Sequence, residues 1–534
     1  MHNIYKMKKR QIPHTYVIVF AIVVVATIMT WIIPAGEYTR IEQAGQTIID
    51  PDSYRPVEQN PQTWQLFSSF FQGFVNKSEI IMFILLIGGA FWILNASKSI
   101  DAGIMAFLSF TKRLEKRRAL RKIGVNNIVM ILIMLMFSIF GAVFGMSEET
   151  IAFIIVIVPL AISMGYDSIT GLCLVYVAAH IGFAGAILNP FTIGIAQQIA
   201  GLPLFSGMEY RIFCWLIINA VGFAIILWWA NKVKKNPKAS PMYQLDEYWR
   251  KNHDITTMNI EYKKTKSSWV SFGIVLTALI VCSALFPVSE IKIMNQVWNI
   301  PAVPIGTVLF AALAIPGLLR SYHFYNLSLL FATIWFLIVG VMGYHWYVTE
   351  IGTLFFGMGL MAGIASGNSP NQITKLLLEG MKDIMSAAMV VGLAGGIIVL
   401  LEDGKVVDTI MFQLAGLMNE MHKTASLGVM YLIQTGLNII IPSSSAKATL
   451  TMPIMAPFSD LIGVSRQAMV MAFQLGDGFT NMFTPTSGVL IGCLGMAKVP
   501  FEIWFKWIWK IMVVFIILGF LLLIPTIYME LNGF

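Results

Sequence analysis

Four ionisable side chains stand inside otherwise apolar stretches of this 534-residue chain: Glu148 and Glu149 in GMSEET, Asp477 between Gly476 and Gly478, and Lys447 just after the triplet Ser443, Ser444 and Ser445. Charges at membrane depth are costly and mark ion or substrate paths. The carboxylates would receive a coupling ion or the cationic end of a substrate. The lysine would replace a coupling cation, pair with Asp477 or bind a substrate carboxylate. Ser147 and Ser443 to Ser445 precede apolar helical arms, so they suit helix N-caps, and the free N–H groups of such N-termini also bind a carboxylate. Two further breaks hold Asn189 and Thr192, then Thr480, Asn481, Thr484, Thr486 and Ser487. Their oxygens would coordinate polar substrate groups or Na+, the latter near Asn189 and Thr486. The candidate substrate-binding set is Ser147, Glu148, Glu149, Asn189, Ser443, Ser444, Ser445, Lys447, Asp477 and Thr484.

Plainer readings stand beside these. Glu148 and Glu149 would face solvent if GMSEET is a loop between two full spans. Asp477 and Lys447 would be a structural pair, although the glycines flanking Asp477 let backbone approach a ligand. His180, alone in VYVAAHIGFAG, suits a satisfied core residue better than a proton relay. No HExxH, GxSxG, Walker A or paired-cysteine pattern occurs, so neither enzyme nor cofactor is expected. A hydrolase built from Ser443 to Ser445 and His180 has nothing further to support it, and a channel does not need twinned charged tips.

The elements that must hold these residues are two hairpins and two broken segments. MILIMLMFSIFGAVF runs into GMSEET and resumes as IAFIIVIVPLAISMG; Asn438 to Gly463 has the same plan, its apolar run breaking at Pro442 and the serines. Each hairpin is followed by a broken segment, Val175 to Leu188 before Asn189-Pro190, and Ala468 to Phe483 before Thr484-Pro485. Upstream, Gly88-Gly89, Lys98 and Asp101 recur at identical spacing as Gly395-Gly396, Lys405 and Asp408. Paired interrupted helices in two halves are the mark of a repeat-built transporter.

Composition sets the class. The chain is 57% hydrophobic and only 12% charged, with a mean hydropathy of +0.74; a soluble domain carries about twice that charge. The net charge of +8 sits in short segments between apolar runs, which excludes nucleic acid as a partner and sets orientation instead. The four cysteines lie in apolar segments without ligand spacing. Apolar runs that could span lie near 15 to 34, 79 to 98, 211 to 231, 268 to 287, 302 to 320, 326 to 344, 350 to 366, 384 to 401 and 503 to 527. Basic clusters at 6 to 10, 112 to 122 and 232 to 266 place the N-terminus and these loops in the cytoplasm and the segment 35 to 78 outside. The expected order is an N-terminal span and external loop (1–78), a first repeat (79–231) with a cytoplasmic-side hairpin at 126–165, a linker (232–267), scaffold spans (268–383), and a second repeat (384–534) with an outside hairpin at 425–463. The fold class is all-α polytopic membrane protein, with two inverted-topology repeats, re-entrant hairpins and broken transmembrane helices.

TWIIPAGEY, GGAFWIL, GAVFGMSEETIAF, HIGFAGAILNPF, LTMPIMAPFSDLIGVSRQ and FQLGDGFTNMFTPTS together resemble the YfcC proteins of the anaerobic C4-dicarboxylate carrier superfamily. The resemblance spans nearly the whole chain except residues near 298 to 346. It implies a bacterial inner-membrane secondary carrier, a homodimer with elevator-like motion, and hairpin tips that meet near the midplane. Members of the family are described as basic amino acid exchangers, of the arginine/ornithine kind, while the wider superfamily moves dicarboxylates. A lysine at the position of Lys447 departs from the family pattern. With Glu148, Glu149 and Asp477 set against one lysine, the expected substrate is a basic amino acid in antiport. The alternative is Na+- or H+-coupled symport of C4-dicarboxylates or other small carboxylates.

Overall fold

A spanning segment must satisfy its own backbone, and in this chain it does so by helix alone. The computed structural model describes residues 15–43, 46–50, 53–114, 124–252, 261–293, 296–344, 346–416 and 422–534. The basic stretch 6 to 10 and most of 112 to 122 lie outside them. Among the described residues, eight helices are long and apolar enough to cross a membrane: Ser78–Ala96, Val125–Phe144, Met208–Lys235, Lys266–Leu285, Ala302–Arg320, Tyr322–Tyr344, Val348–Ala365 and Phe501–Tyr528. Strand structure among these residues is confined to three two-stranded pairs. The protein is an all-α polytopic membrane protein.

Two runs differ from their sequence outlines. The first apolar run is helical over Thr15–Ile32 and stops short of its outline, ending just before Pro34. The run at 384 to 401 is the second half of a 34-residue helix, Pro370–Asp403. That helix starts on Ser369, whose hydroxyl accepts from the Gln372 N–H, and Pro370 occupies the first turn, where no N–H is needed. It bends by 45° between Ser386 and Ala388.

The long bent helix has a counterpart that apolar runs alone did not reveal. Gln65–Asn76 is an amphipathic helix joined through Lys77 to Ser78–Ala96. Gly73 on it and Gly380 on the long helix stand at the same offset that relates Gly88 to Gly395 and Gly89 to Gly396. Their contacts are reciprocal. A Cβ at Gly73 would lie 2.4 Å from the Gly396 nitrogen, and one at Gly380 would lie 2.6 Å from the Gly88 oxygen and 2.7 Å from the Gly89 Cα. Small residues that let backbones touch drive helix association where lipid offers no hydrophobic gain. The duplicated glycines thus form one seam on which the two halves meet. The duplication extends to conformation: Lys98 and Lys405, after the respective helices, both adopt positive φ, at 59° and 53°.

Candidate functional site

Both charged tips fold as helix, break, helix. In the first, Val125–Ile139 widens into a π-helical turn at Phe140–Phe144, and Gly145 reverses the chain at φ 69° before Thr150–Ser163 begins. Only glycine serves there, because a Cβ on Gly145 would meet the Asn189 side-chain oxygen at 2.4 Å. In the second hairpin Lys423–Ile440 ends ahead of Pro442, and Ser444–Leu461 starts on Ser443. The first broken segment stops at Ala184 and resumes at Pro190–Gly194; the second stops at Asn481 and resumes at Gly488–Ala497. The two cross closely, since a Cβ on Gly478 would lie 2.4 Å from the Ala184 Cα.

Between these elements lies a cavity of about 200 Å³. Ser147 and Glu148 line it from the first tip, Ser443, Ser444 and Ser445 from the second, and Asn481, Thr486 and Ser487 from the second break. Three helices begin at its wall: Thr150–Ser163, Ser444–Leu461 and Gly488–Ala497. The first N–H groups of Thr150–Ser163 are taken by the carbonyls of Ser147, Glu148 and Glu149, while the positive dipole ends of Ser444–Leu461 and Gly488–Ala497 favour an anion. Glu148 supplies the opposite charge, its Oε1 accepting from the Tyr347 hydroxyl at 3.2 Å.

The remaining candidates stand behind the wall. Glu149 folds back to accept from the Ser147 N–H at 2.9 Å. Asn189 organises the first break: its Oδ1 accepts from the N–H groups of Phe191 (2.9 Å) and Thr192 (3.3 Å), and its amide donates to the Gly141 oxygen. Ile187 and Leu188 both donate to the Ala142 oxygen, at 2.8 and 3.0 Å, tying that break to the π-helical arm. Thr484 shares a hydrogen bond with Thr486 (2.7 Å), which donates to the Ile439 oxygen (2.6 Å). His180 is a satisfied core residue that touches the tip: Nδ1 donates to the Tyr176 oxygen at 3.0 Å, leaving Nε2 to accept from Ser147, 3.4 Å away. Among the described residues no cluster of three His, Cys, Asp or Glu side chains could hold a metal ion.

Lys447 and Asp477 face each other rather than the cavity. Their Nζ and Oδ1 are 2.9 Å apart, and both side chains are 0% exposed. The other carboxylate oxygen accepts from the Ser444 hydroxyl at 2.5 Å and from the Asn481 amide at 3.4 Å. Ser444 therefore connects the buried pair to the cavity wall.

Two polar lining residues escape sequence reading. Lys77 and Tyr347 reach the cavity from outside the hairpins and breaks. Lys77 sits at the joint between Gln65–Asn76 and Ser78–Ala96, and extending the repeat upstream to Gly73 would have drawn that joint into view.

A polar, charged cavity inside a bundle of spanning helices is the architecture of a membrane transporter, and comparison with known proteins gives the same class. The chain belongs to the C4-dicarboxylate anaerobic carrier (DcuC) family, whose model matches residues 12–528. A relative from Escherichia coli (strain K12), named "Putative basic amino acid antiporter YfcC", is 32% identical over 536 residues, covering 92% of each chain. An uncharacterised protein of Haemophilus influenzae is 23% identical, with 98% of each chain covered. Among solved structures, the chain is similar to the YdaH transporter of Alcanivorax borkumensis (13% identity, 97% of this chain and 99% of that one, TM-score 0.38). It is also similar to Neisseria gonorrhoeae MtrF (14% identity, 97% and 96%, TM-score 0.38). Those superpositions are loose, and nothing about this site follows from them.

Proposed function

We propose that this transporter is a secondary active exchanger of small charged metabolites, with basic amino acids of the arginine/ornithine type as its substrates. The observation that carries the reading is the polarity of the cavity: the N-termini of Ser444–Leu461 and Gly488–Ala497 and the Ser443 to Ser445 hydroxyls at one part of the wall, and the Glu148 carboxylate of the first tip at another. The first group would hold an α-carboxylate and Glu148 the cationic end. In this reading the hairpins are re-entrant and the repeats inverted. The reciprocal glycine seam supports a dyad between the halves, and the loop charges support a dyad lying in the membrane plane. The protein would sit in the bacterial inner membrane, N-terminus cytoplasmic, as a homodimer.

Two observations favour a second reading, symport of C4-dicarboxylates. Lys77 lines the same cavity, and Asp477 is already neutralised by Lys447, so the acidic excess counted in the sequence is smaller at the wall. Liposomes preloaded with unlabelled arginine separate the two. Labelled arginine or ornithine should enter only preloaded vesicles, without an ion gradient, and Glu148→Gln should lower that exchange at least about tenfold, the loss of roughly 1.4 kcal/mol of binding. Gradient-driven entry of labelled succinate would establish the second reading.

A further inference from the structure

The Lys447–Asp477 pair is unusual in where it stands. Lys447 lies in the first turn of Ser444–Leu461, the positive end of the helix dipole, where a cation is disfavoured. It is also fully buried, and a buried pair is weak as a device for stability, since apolar residues of like volume commonly do as well. The helix gains nothing from the lysine. What holds it is the carboxylate opposite, together with the Gln434 backbone oxygen 3.5 Å from Nζ and the face of the Phe473 ring 4.6 Å away. Gln434 is itself fully buried, and neither its side-chain oxygen nor its side-chain nitrogen has a protein partner. A carboxylate oxygen, a backbone carbonyl and an aromatic face are together surroundings a monovalent cation takes.

We propose that the Lys447 ammonium is a tethered counter-cation, filling a site between the second hairpin and the second broken segment that would otherwise hold a free alkali ion. The carrier accordingly works without bound Na+. Asp477 keeps Ser444 aligned at the cavity wall, while its partner moves with the hairpin instead of exchanging with solution. The proposal rests on the transporter class and not on which metabolite is carried.

The test needs no substrate. Thermal unfolding of the purified full-length protein is compared in NaCl, KCl and choline chloride at equal ionic strength. Wild type should melt at the same temperature in all three. Lys447→Ser removes the ammonium and leaves the oxygens, so it should gain a saturable, alkali-ion-specific rise of about 3 °C or more. The neutral double variant Lys447→Met/Asp477→Asn should again ignore the salt. A saturable Na+-specific rise in wild type, or a folded Lys447→Ser protein indifferent to both alkali ions, would overturn the proposal. Should Lys447→Ser not fold in any of the three salts, Lys447→Asn replaces it with the same expectations, and the wild-type measurement still decides against the proposal if Na+ stabilises it. Arginine exchange can fail without touching either result.

Discussion

The two hairpin tips share a plan and differ in what they do with charge. At the first, Glu148 faces the cavity and accepts from Tyr347 across the space, while Glu149 is spent on its own turn. At the second, the hydroxyls of Ser443 to Ser445 face the cavity and the charge of Lys447 is turned away onto Asp477. One tip presents charge and the other conceals it. Duplicated backbone geometry therefore does not impose duplicated electrostatics, and the site gains polarity from the difference.

The sharpest way to break this contrast is Asp477→Asn, which strands a buried ammonium and should cost about 3–5 kcal/mol. Thermal unfolding in detergent measures it, and adding Lys447→Met should restore most of the loss. If Asp477→Asn is as stable as wild type, the second tip conceals nothing. A smaller effect tests whether the halves are equivalent in packing although they differ in charge. Gly73→Ala and Gly380→Ala each push a Cβ into the backbone of the opposite half, and each should cost about 1–3 kcal/mol. Unequal losses would mean that the seam is reciprocal in sequence only.

The smallest effect concerns how the broken segments are anchored. The first is held from the linker, where the buried Asp246 accepts from the Ser168 N–H at 3.0 Å; the second starts on Ser465, which carries no charge. Burial raises the Asp246 carboxyl from 3.8 to about 6. Between those values the folded protein keeps a proton that the unfolded chain has released, so stability falls as pH rises through about 4 to 6. Asp246→Asn should flatten that slope in melting temperature against pH, and Ser465→Ala should leave it unchanged.

Much of this was legible because membrane physics is strict. Apolar runs of spanning length, the polar interruptions at GMSEET and Ser443 to Ser445, and the recurrence of Gly88-Gly89 as Gly395-Gly396 all follow from what a bilayer permits. What sequence could not give is the direction in which a side chain points. Lys447 is three residues from Ser444, yet the serine lines the cavity and the lysine does not. Tyr347 follows the spans near 302 to 344, which have no counterpart in the first repeat, so no internal comparison could flag it. The amphipathic helix Gln65–Asn76 lacks a continuous apolar run and merged with the external loop.

The Ala142 carbonyl carries one last implication, for motion. It accepts from both Ile187 and Leu188, so a hinge in the first hairpin alone would break two backbone hydrogen bonds at once. The first tip and its neighbouring break are thereby tied into one mechanical part, and a hinge that moves either must carry both or give up both bonds.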